Sequence, residues 1–286
     1  MINLTTVSDY NYLVKGITLY DSLLKNSSEF VLHYLCIDDE SYNKLITYEC
    51  DNLKAYNVND LFNDDEVLMN VKKSEYGYFC FSLASYFTQH LMLKLNVPLI
   101  YIDSDIYFHQ SINELYNLME PKSIGIFKHR QFTTERAEGG YNVGVCYFNN
   151  DVVGKHILNW WADAVLYKKY PQLATCGDQK YLDAFSSMCP DDLFFDESTI
   201  GHGAPWLWQL YDFSNFDEGN IIWNGIKQKL YFSHFSQFVY NTNNYIPSGQ
   251  HQEYTSLSMY NEILPLKTIY DDYHNELNET KNKYKI

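Results

Sequence analysis

Leu99-Ile100-Tyr101-Ile102-Asp103-Ser104-Asp105-Ile106-Tyr107-Phe108 decides how this chain is read. An apolar run ends in two aspartates one residue apart and then resumes as apolar and aromatic. Strand side chains alternate faces, so Asp103 and Asp105 are expected to point the same way. Two hard oxygen ligands on one side suit Mg²⁺ or Mn²⁺. Two like charges at the edge of a buried sheet are costly, and a cation that also holds an anionic diphosphate would offset that cost. The alternative is a polar turn closing a strand. The four apolar residues before the pair place it at the carboxyl end of a buried strand, where open α/β sheets put their ligands.

Outward from this strand, the N-terminal half alternates strands and helices. Ile2 to Val7 reads as a strand, Ser8-Asp9-Tyr10-Asn11 as a turn and helix cap, and the next stretch to Lys25 as a helix. Strands follow at Phe30–Ile37 and Leu53–Val58, separated by a helix capped by Asp38-Asp39-Glu40-Ser41 and running through Tyr48. Asn63-Asp64-Asp65-Glu66 reads as a solvated helix start, and a helix from Phe81 to Leu95 precedes the aspartate strand. Beyond it come a helix at Ser111–Met119, a strand at Ser123–Lys128, a loop at His129–Gly140 and a strand at Tyr141–Phe148. Helices are expected at Val152–Tyr170 and Cys176–Ser187. After Pro190 the pattern weakens into short strands and loops, with a late strand at Leu230–His234 and helix from Tyr254 to Tyr284. This rhythm predicts an α/β fold with a mixed, mainly parallel, Rossmann-like sheet flanked by helices. One domain over residues 1–240 is expected, with 241–286 a C-terminal loop and helical extension packed on it.

The 286 residues are 46% hydrophobic and 17% aromatic, enough for a large core. A net charge of −15 argues against nucleic-acid binding and a polybasic membrane anchor. Six cysteines without C-x-x-C spacing read as reduced core thiols. With no signal peptide and no apolar run of transmembrane length visible, a cytoplasmic protein with at most peripheral membrane contact is expected.

Four segments follow one another: Ile100-Tyr101-Ile102-Asp103-Ser104-Asp105-Ile106, Tyr141-Asn142-Val143-Gly144-Val145, Gly177-Asp178-Gln179-Lys180-Tyr181-Leu182 and Phe232-Ser233-His234-Phe235. In this order and spacing the chain resembles GT-A fold glycosyltransferases, most closely the family 8-like retaining enzymes and their bacterial surface-polysaccharide relatives. His129-Arg130-Gln131-Phe132, Trp160-Trp161 and Ala204-Pro205-Trp206 look like the bacterial subgroup. The resemblance implies that Asp103, Asp105 and His234 hold Mn²⁺ or Mg²⁺ on the diphosphate of a nucleotide-sugar donor, with UDP-sugar favoured. It implies that Asp178 binds sugar hydroxyls and that Gln179 lies near the anomeric carbon, opposite the leaving group. Glutamine is a poor nucleophile, so front-face attack by the acceptor with retention is favoured.

Other readings stand beside these. His234 reads equally as a buried histidine satisfied by a backbone carbonyl, Asp178 as a helix cap, and Gly144 as a strand glycine beneath a helix. Asn142 and Gly144 are candidate donor contacts, since glycine lets backbone approach a sugar and an amide both donates and accepts. Thr5, Thr6, Ser8 and Asp9 are candidates for base and ribose, with Tyr12 to stack, and Ser104 joins the donor set. Trp206 and Trp208 are candidates for a glycan or glycolipid acceptor platform, or core aromatics. Two departures from the resemblance stand out. The helix before the aspartate strand offers Ser82, Ser85, Gln89 and His90 where relatives often carry a basic residue, and no Lys-Pro-Trp follows the late histidine. The chain's two arginines, Arg130 and Arg136, lie after the Ser123–Lys128 strand. Arg130, with Lys128, is the candidate for the diphosphate or an acidic acceptor, against the reading of a solvated loop charge. A sugar-1-phosphate nucleotidyltransferase would want a Gly-rich, Arg-containing loop after the first strand, where Thr5-Thr6-Val7-Ser8-Asp9-Tyr10 stands. A non-catalytic, metal-dependent carbohydrate-binding module is the remaining alternative.

Overall fold

A computed structural model describes residues 1–195, 199–249 and 262–286. Among them, in chain order, are β1 (Ile2–Ser8), α1 (Leu13–Asn26), β2 (Phe30–Cys36), α2 (Asp39–Leu45), β3 (Leu53–Asn57), α3 (Val58–Phe62), α4 (Glu66–Ser74) and α5 (Tyr76–Leu95). Then come β4 (Leu99–Ile102), β5 (Ile106–Phe108), α6 (Ile112–Met119), β6 (Ile124–Lys128), β7 (Tyr141–Phe148), α7 (Val152–Leu166), a 3-10 helix (Gln179–Ala184) and α8 (Phe185–Met188). The remainder holds β8 (Leu193–Phe194), β9 (Ile200–Gly203), β10 (Tyr211–Asp212), β11 (Asn220–Trp223), β12 (Ile226–His234), β13 (Val239–Asn241), β14 (Asn244–Ile246) and α9 (Leu264–Tyr284). The helix expected from Tyr254 is thus described from Leu264; residues 254–261 lie outside the described residues.

These elements form two compact units. The first contains residues 1–13, 28–104 and 113–195 and is built on a seven-stranded sheet in the order β3-β2-β1-β4-β7-β6-β8. The pairs β1–β2, β2–β3, β1–β4 and β6–β8 are parallel, while β4–β7 and β6–β7 are antiparallel. The sheet is therefore mixed and mainly parallel, as its sequence rhythm predicts. β2 is buried at every position, as a strand covered on both faces must be. Leu83, Phe87 and Leu91 of α5 and Trp161 and Val165 of α7 join Leu99, Tyr101 and Phe148 in one core.

Acidic caps start the helices where the sequence places them. Asp9 accepts from the Tyr12 amide, Asp38 from Ser41 and Asp65 from Leu68. The Cys176–Ser187 segment differs from expectation, since its helical part starts at Gln179 as a 3-10 turn and ends in the four residues of α8. Gly177 sits at φ +55° with the Phe81 ring where a Cβ would be, so the chain turns in a left-handed conformation before it coils.

The second unit contains residues 14–27, 105–112 and the described residues from 199 onward. Its sheet runs β10-β11-β12-β5, with β9 parallel on β12. β5 pairs antiparallel with β12, setting His234 opposite Ile106. Leu266, Ile269, Tyr270, Tyr273 and Leu277 form a buried stripe at helical spacing along α9. Phe235 stacks on Tyr273 at 3.6 Å between ring centroids.

Candidate active site

β4 carries four buried apolar residues and then stops. Asp103 and Asp105 lie beyond its end, with Ser104 and Asp105 in a turn, so the strand-alternation argument for a shared face does not apply to them. Asp103 follows β4 directly, at the carboxyl end of that strand. Asp103 is the last acidic residue of the first unit here, and Asp105 opens a segment of the second.

In the first unit, the Asp103 amide donates to the Gly144 carbonyl at 2.9 Å, and the Tyr101 hydroxyl donates to Asp103 Oδ1 at 2.7 Å. Gly144 thus serves as a strand residue that anchors Asp103. Asp178 is 4% exposed and makes no capping bond with its side chain, which removes the reading of a helix cap. Burial, and then the charge of Asp103, push its carboxyl well above the usual carboxylate range. Burial and the same two carboxylates raise the Tyr101 hydroxyl and the Cys146 thiol.

Gln179 and Asn142, 37 residues apart, are bonded to each other. The Asn142 amide nitrogen donates to Gln179 Oε1 at 3.0 Å, and the Val143 amide donates to the same oxygen at 3.4 Å. Gln179 Nε2 donates to the Glu138 carbonyl at 2.9 Å, while Asn142 Oδ1 accepts from the Gly144 amide at 2.9 Å. Both ends of each amide are therefore fixed. His129, which the sequence reading mentions only within a motif, supports this arrangement. Its Nδ1–H donates to the Gly139 carbonyl at 2.9 Å, leaving Nε2 to accept from Asn142 at 3.4 Å.

The candidates around β1 divide in two. Thr5 donates to Thr88 of α5 and Ser8 pairs with the buried Tyr34 hydroxyl, so both are committed inward. Thr6 is buried with no hydrogen bond on its hydroxyl, and Tyr12 is partly exposed. Asp9 caps its own turn, and Ser104 is buried. Arg130 adopts φ +56°, an uncommon left-handed conformation for a non-glycine residue. Arg136 lies over the Phe132 ring at 4.8 Å and faces Glu138 at 3.5 Å.

In the second unit, His234 Nε2 stands 3.1 Å from Asp105 Oδ1. Asp105 is 8% exposed. Burial alone would raise its carboxyl, but His234 and then Lys15 outweigh that, and it lies below its ordinary range. The Phe235 amide donates to the Asp105 carbonyl at 2.9 Å, tying the late histidine's strand to the aspartate turn. One partner of His234 is therefore a carboxylate. The Trp206 ring packs edge-on against His234, 5.7 Å between centroids. Trp206 and Trp208 are 4% and 1% exposed, and Trp208 donates to the Tyr270 hydroxyl at 3.2 Å, so in this structure both pack as core aromatics. Sequence reasoning missed two site residues. Tyr101 could have been found from its i−2 spacing to Asp103. The only signal for Lys15 is a lone cation in an otherwise apolar helix start.

A set of one imidazole and two carboxylates suits a hard divalent cation. Asp103 is two residues from Asp105 along the chain, and Asp105 is already paired with His234. Among the described residues, no helix is long and apolar enough to cross a membrane.

No protein-family pattern matches the sequence, and no curated protein sequence matches it. Solved structures do. Mouse xyloside xylosyltransferase 1 in its apo form superposes with a TM-score of 0.52 at 18% identity, covering 82% of this chain and 97% of that one. The galactosyltransferase LgtC with donor and acceptor sugar analogues gives 0.51 at 13% identity, over 82% and 86% of the two chains. An active-site mutant of LgtC gives 0.55 at 13% identity, over 90% and 95%. The fold of this chain is the GT-A fold of glycosyltransferases.

Proposed function

We propose that this chain is a metal-dependent glycosyltransferase. It moves a sugar from a nucleotide-diphosphate donor, with UDP-sugar favoured, to a hydroxyl of a glycan or lipid-linked saccharide. The transfer proceeds with retention, in the cytoplasm, in the synthesis of surface polysaccharide. The observation that carries the reading is the 3.1 Å pairing of His234 with Asp105, residues 129 positions apart in sequence, beside the D-x-D turn that follows a buried strand.

Asp103, Asp105 and His234 would hold Mn²⁺ or Mg²⁺, which when bound neutralises charge on the donor's diphosphate. In the reaction, the bond from the anomeric carbon to the diphosphate oxygen breaks and its electron pair leaves with that oxygen. The acceptor oxygen bonds to the same carbon, and its proton passes to the departing phosphate. Gln179, held at both ends of its amide, presents a fixed dipole to the carbon as positive charge develops there. Asp178, more basic than an ordinary carboxylate, is suited to accept hydrogen bonds from sugar hydroxyls. Asn142 and Gly144 border the same site, with Thr6, Tyr12 and Ser104 candidates toward the nucleotide and Arg130 toward its phosphates.

The test is a donor screen that reads nucleoside diphosphate release with and without Mn²⁺. The expected result is metal-dependent release from one nucleotide sugar, lost in Asp103→Ala and Asp105→Ala by at least about a hundredfold. Release that survives both substitutions overturns the metal assignment. Sugar binding with no nucleotide binding would instead make this a carbohydrate-binding module.

A further inference from the structure

The loop between β6 and β7, residues 129–140, holds neither helix nor strand. Irregular segments of this kind open at little cost unless something fastens them. Its own ion pair, Arg136 with Glu138, has exposed side chains and contributes little. The segment 175–183 of the same unit grips it with four side chains. Lys180 Nζ donates to the Arg136 carbonyl, Thr175 Oγ1 to the Ala137 carbonyl at 3.0 Å and Gln179 Nε2 to the Glu138 carbonyl at 2.9 Å. Asp183 Oδ1 accepts from the Gly140 amide at 2.8 Å. Asp183 differs from the other three in what its placement costs. Its Oδ2 is buried with no hydrogen-bond partner among the described residues, and a carboxylate oxygen enclosed in that way is destabilising. Gly139, at φ +82°, makes room for it, since a Cβ there would stand 3.0 Å from Oδ2.

The same two glycines are bonded by His129, whose backbone amide donates to the Gly140 carbonyl at 2.9 Å and whose Nδ1 meets the Gly139 carbonyl. His129 meets Asn142, Asn142 meets Gln179, and Gln179 returns to the loop at Glu138. These contacts close a ring that passes through the Gln179 carboxamide, and Asp183 fastens the loop side of that ring. The Glu138 carbonyl can only accept, so its position is what selects the amide nitrogen of Gln179 toward the loop and the oxygen toward Asn142. Resting on the glycosyltransferase reading above, we propose that Asp183 is a positioning residue. By holding the Gly139-Gly140 backbone it keeps the Glu138 carbonyl on Gln179 and so fixes the direction of the carboxamide at the reacting carbon.

The chain's two arginines, Arg130 and Arg136, both lie in this loop, so an arginine-specific protease reports on its opening and on no other segment. The experiment compares the full wild-type chain with Asp183→Ala and Asp183→Asn by that protease under native conditions. The same proteins are assayed for release of nucleoside diphosphate from UDP-, GDP-, CDP- and ADP-hexoses in Mn²⁺. Asp183→Ala should speed cleavage and lower kcat, each by at least about tenfold, the size expected for a lost hydrogen bond to a charged group. The donor KM should stay within about threefold, because the direction of Gln179 matters to the transition state more than to binding. Asp183→Asn keeps an oxygen for the Gly140 amide and should recover most of both losses. Gly139→Ala strikes the same contact from the loop side and should reproduce Asp183→Ala, which keeps the test open if that variant does not fold. Unchanged cleavage in Asp183→Ala overturns the latch, and an opened loop with unchanged kcat overturns the positioning role. An Asp183→Asn variant as impaired as Asp183→Ala, or a fall in kcat matched by an equal rise in KM, also overturns it. Each of these leaves the glycosyltransferase reading standing. A folded wild-type chain that releases nucleoside diphosphate from none of the hexose donors overturns that reading and the role of Asp183 with it.

Discussion

Asp178 in the first unit and Asp105 in the second are both buried aspartates, and their acidities move in opposite directions. Asp178 is surrounded by groups that disfavour charge. These are burial itself and the like charge of Asp103. Asp105 is surrounded by groups that favour charge, His234 and Lys15, and they outweigh its burial. Residue type and depth are the same, so the neighbours decide. On the function proposed above, the first would supply a basic acceptor for sugar hydroxyls and the second a carboxylate kept ionised for a cation.

The largest effect that can break this comparison is a pair of isosteric substitutions, with stability measured in chelator and transfer measured in Mn²⁺. A carboxyl raised in the folded state adds stability at acid pH and loses it as pH rises above the ordinary carboxylate range. A lowered one does the reverse. Asp178→Asn should therefore raise the melting temperature at pH 7 and abolish transfer. Asp105→Asn should abolish transfer and cost on the order of 3 kcal/mol, because it breaks one partner out of a buried pair. If both substitutions shift the melting temperature in the same direction, the contrast between the two carboxylates is wrong.

Next in size are two glycines. A methyl at Gly154 in the first unit would run into the Asn149 carbonyl, and one at Gly203 in the second into the Trp208 ring. Overpacking costs about 1–3 kcal/mol, and a backbone carbonyl gives way less readily than a ring. Gly154→Ala is expected near the top of that range and Gly203→Ala below it, read by urea unfolding. The reverse order would show the aromatic core of the second unit to be the stiffer.

The first unit was the more legible of the two in sequence. β2 and β4 announce themselves as unbroken apolar runs, and Asp9, Asp38 and Asp65 stand where helices begin, because strand burial and capping are local properties. α5 starts at Tyr76, five residues before the expected Phe81, because it is apolar around most of its circumference and shows little periodicity to mark its end. The second unit is made of strands two to four residues long apart from β12, whose register comes from long-range pairing. The site follows the same rule. Asp103 and Asp105 are visible as a motif, while the Gln179–Asn142 bond and the enclosure of Lys15 depend on where distant segments meet.

Each unit also holds a histidine whose basicity burial lowers. In the first, His33 accepts from the Tyr56 hydroxyl at 2.9 Å and donates to Asn3 at 3.2 Å. Burial, helped by Lys54 and Lys94, lowers it to about 4. In the second, His109 pairs with Ser233 at 2.8 Å, and burial lowers it to about 4. A histidine lowered in the folded state stabilises above its unfolded value near 6.5, and that contribution is lost as pH falls toward 4. Each should cost about 2 kcal/mol between pH 7 and pH 5. His33→Gln and His109→Gln should each flatten the acid limb of a stability profile by that amount. A flattening seen for one alone would say that the other site admits water.

The smallest expected difference lies at the surface. Lys168 and Glu75 pair at 2.6 Å in the first unit with both side chains well exposed, whereas Lys25 of α1 meets Glu276 of α9 in the second, where Glu276 is the more covered partner. Exposed pairs contribute about 0.2–1 kcal/mol, since solvent screens them and two long side chains must be ordered. Double-mutant cycles should give coupling below about 1 kcal/mol for both, larger for Lys25–Glu276, and both should shrink as salt shortens the screening length. Coupling that is equal in the two units and insensitive to salt would mean that packing of the aliphatic stems, and not charge, holds these contacts.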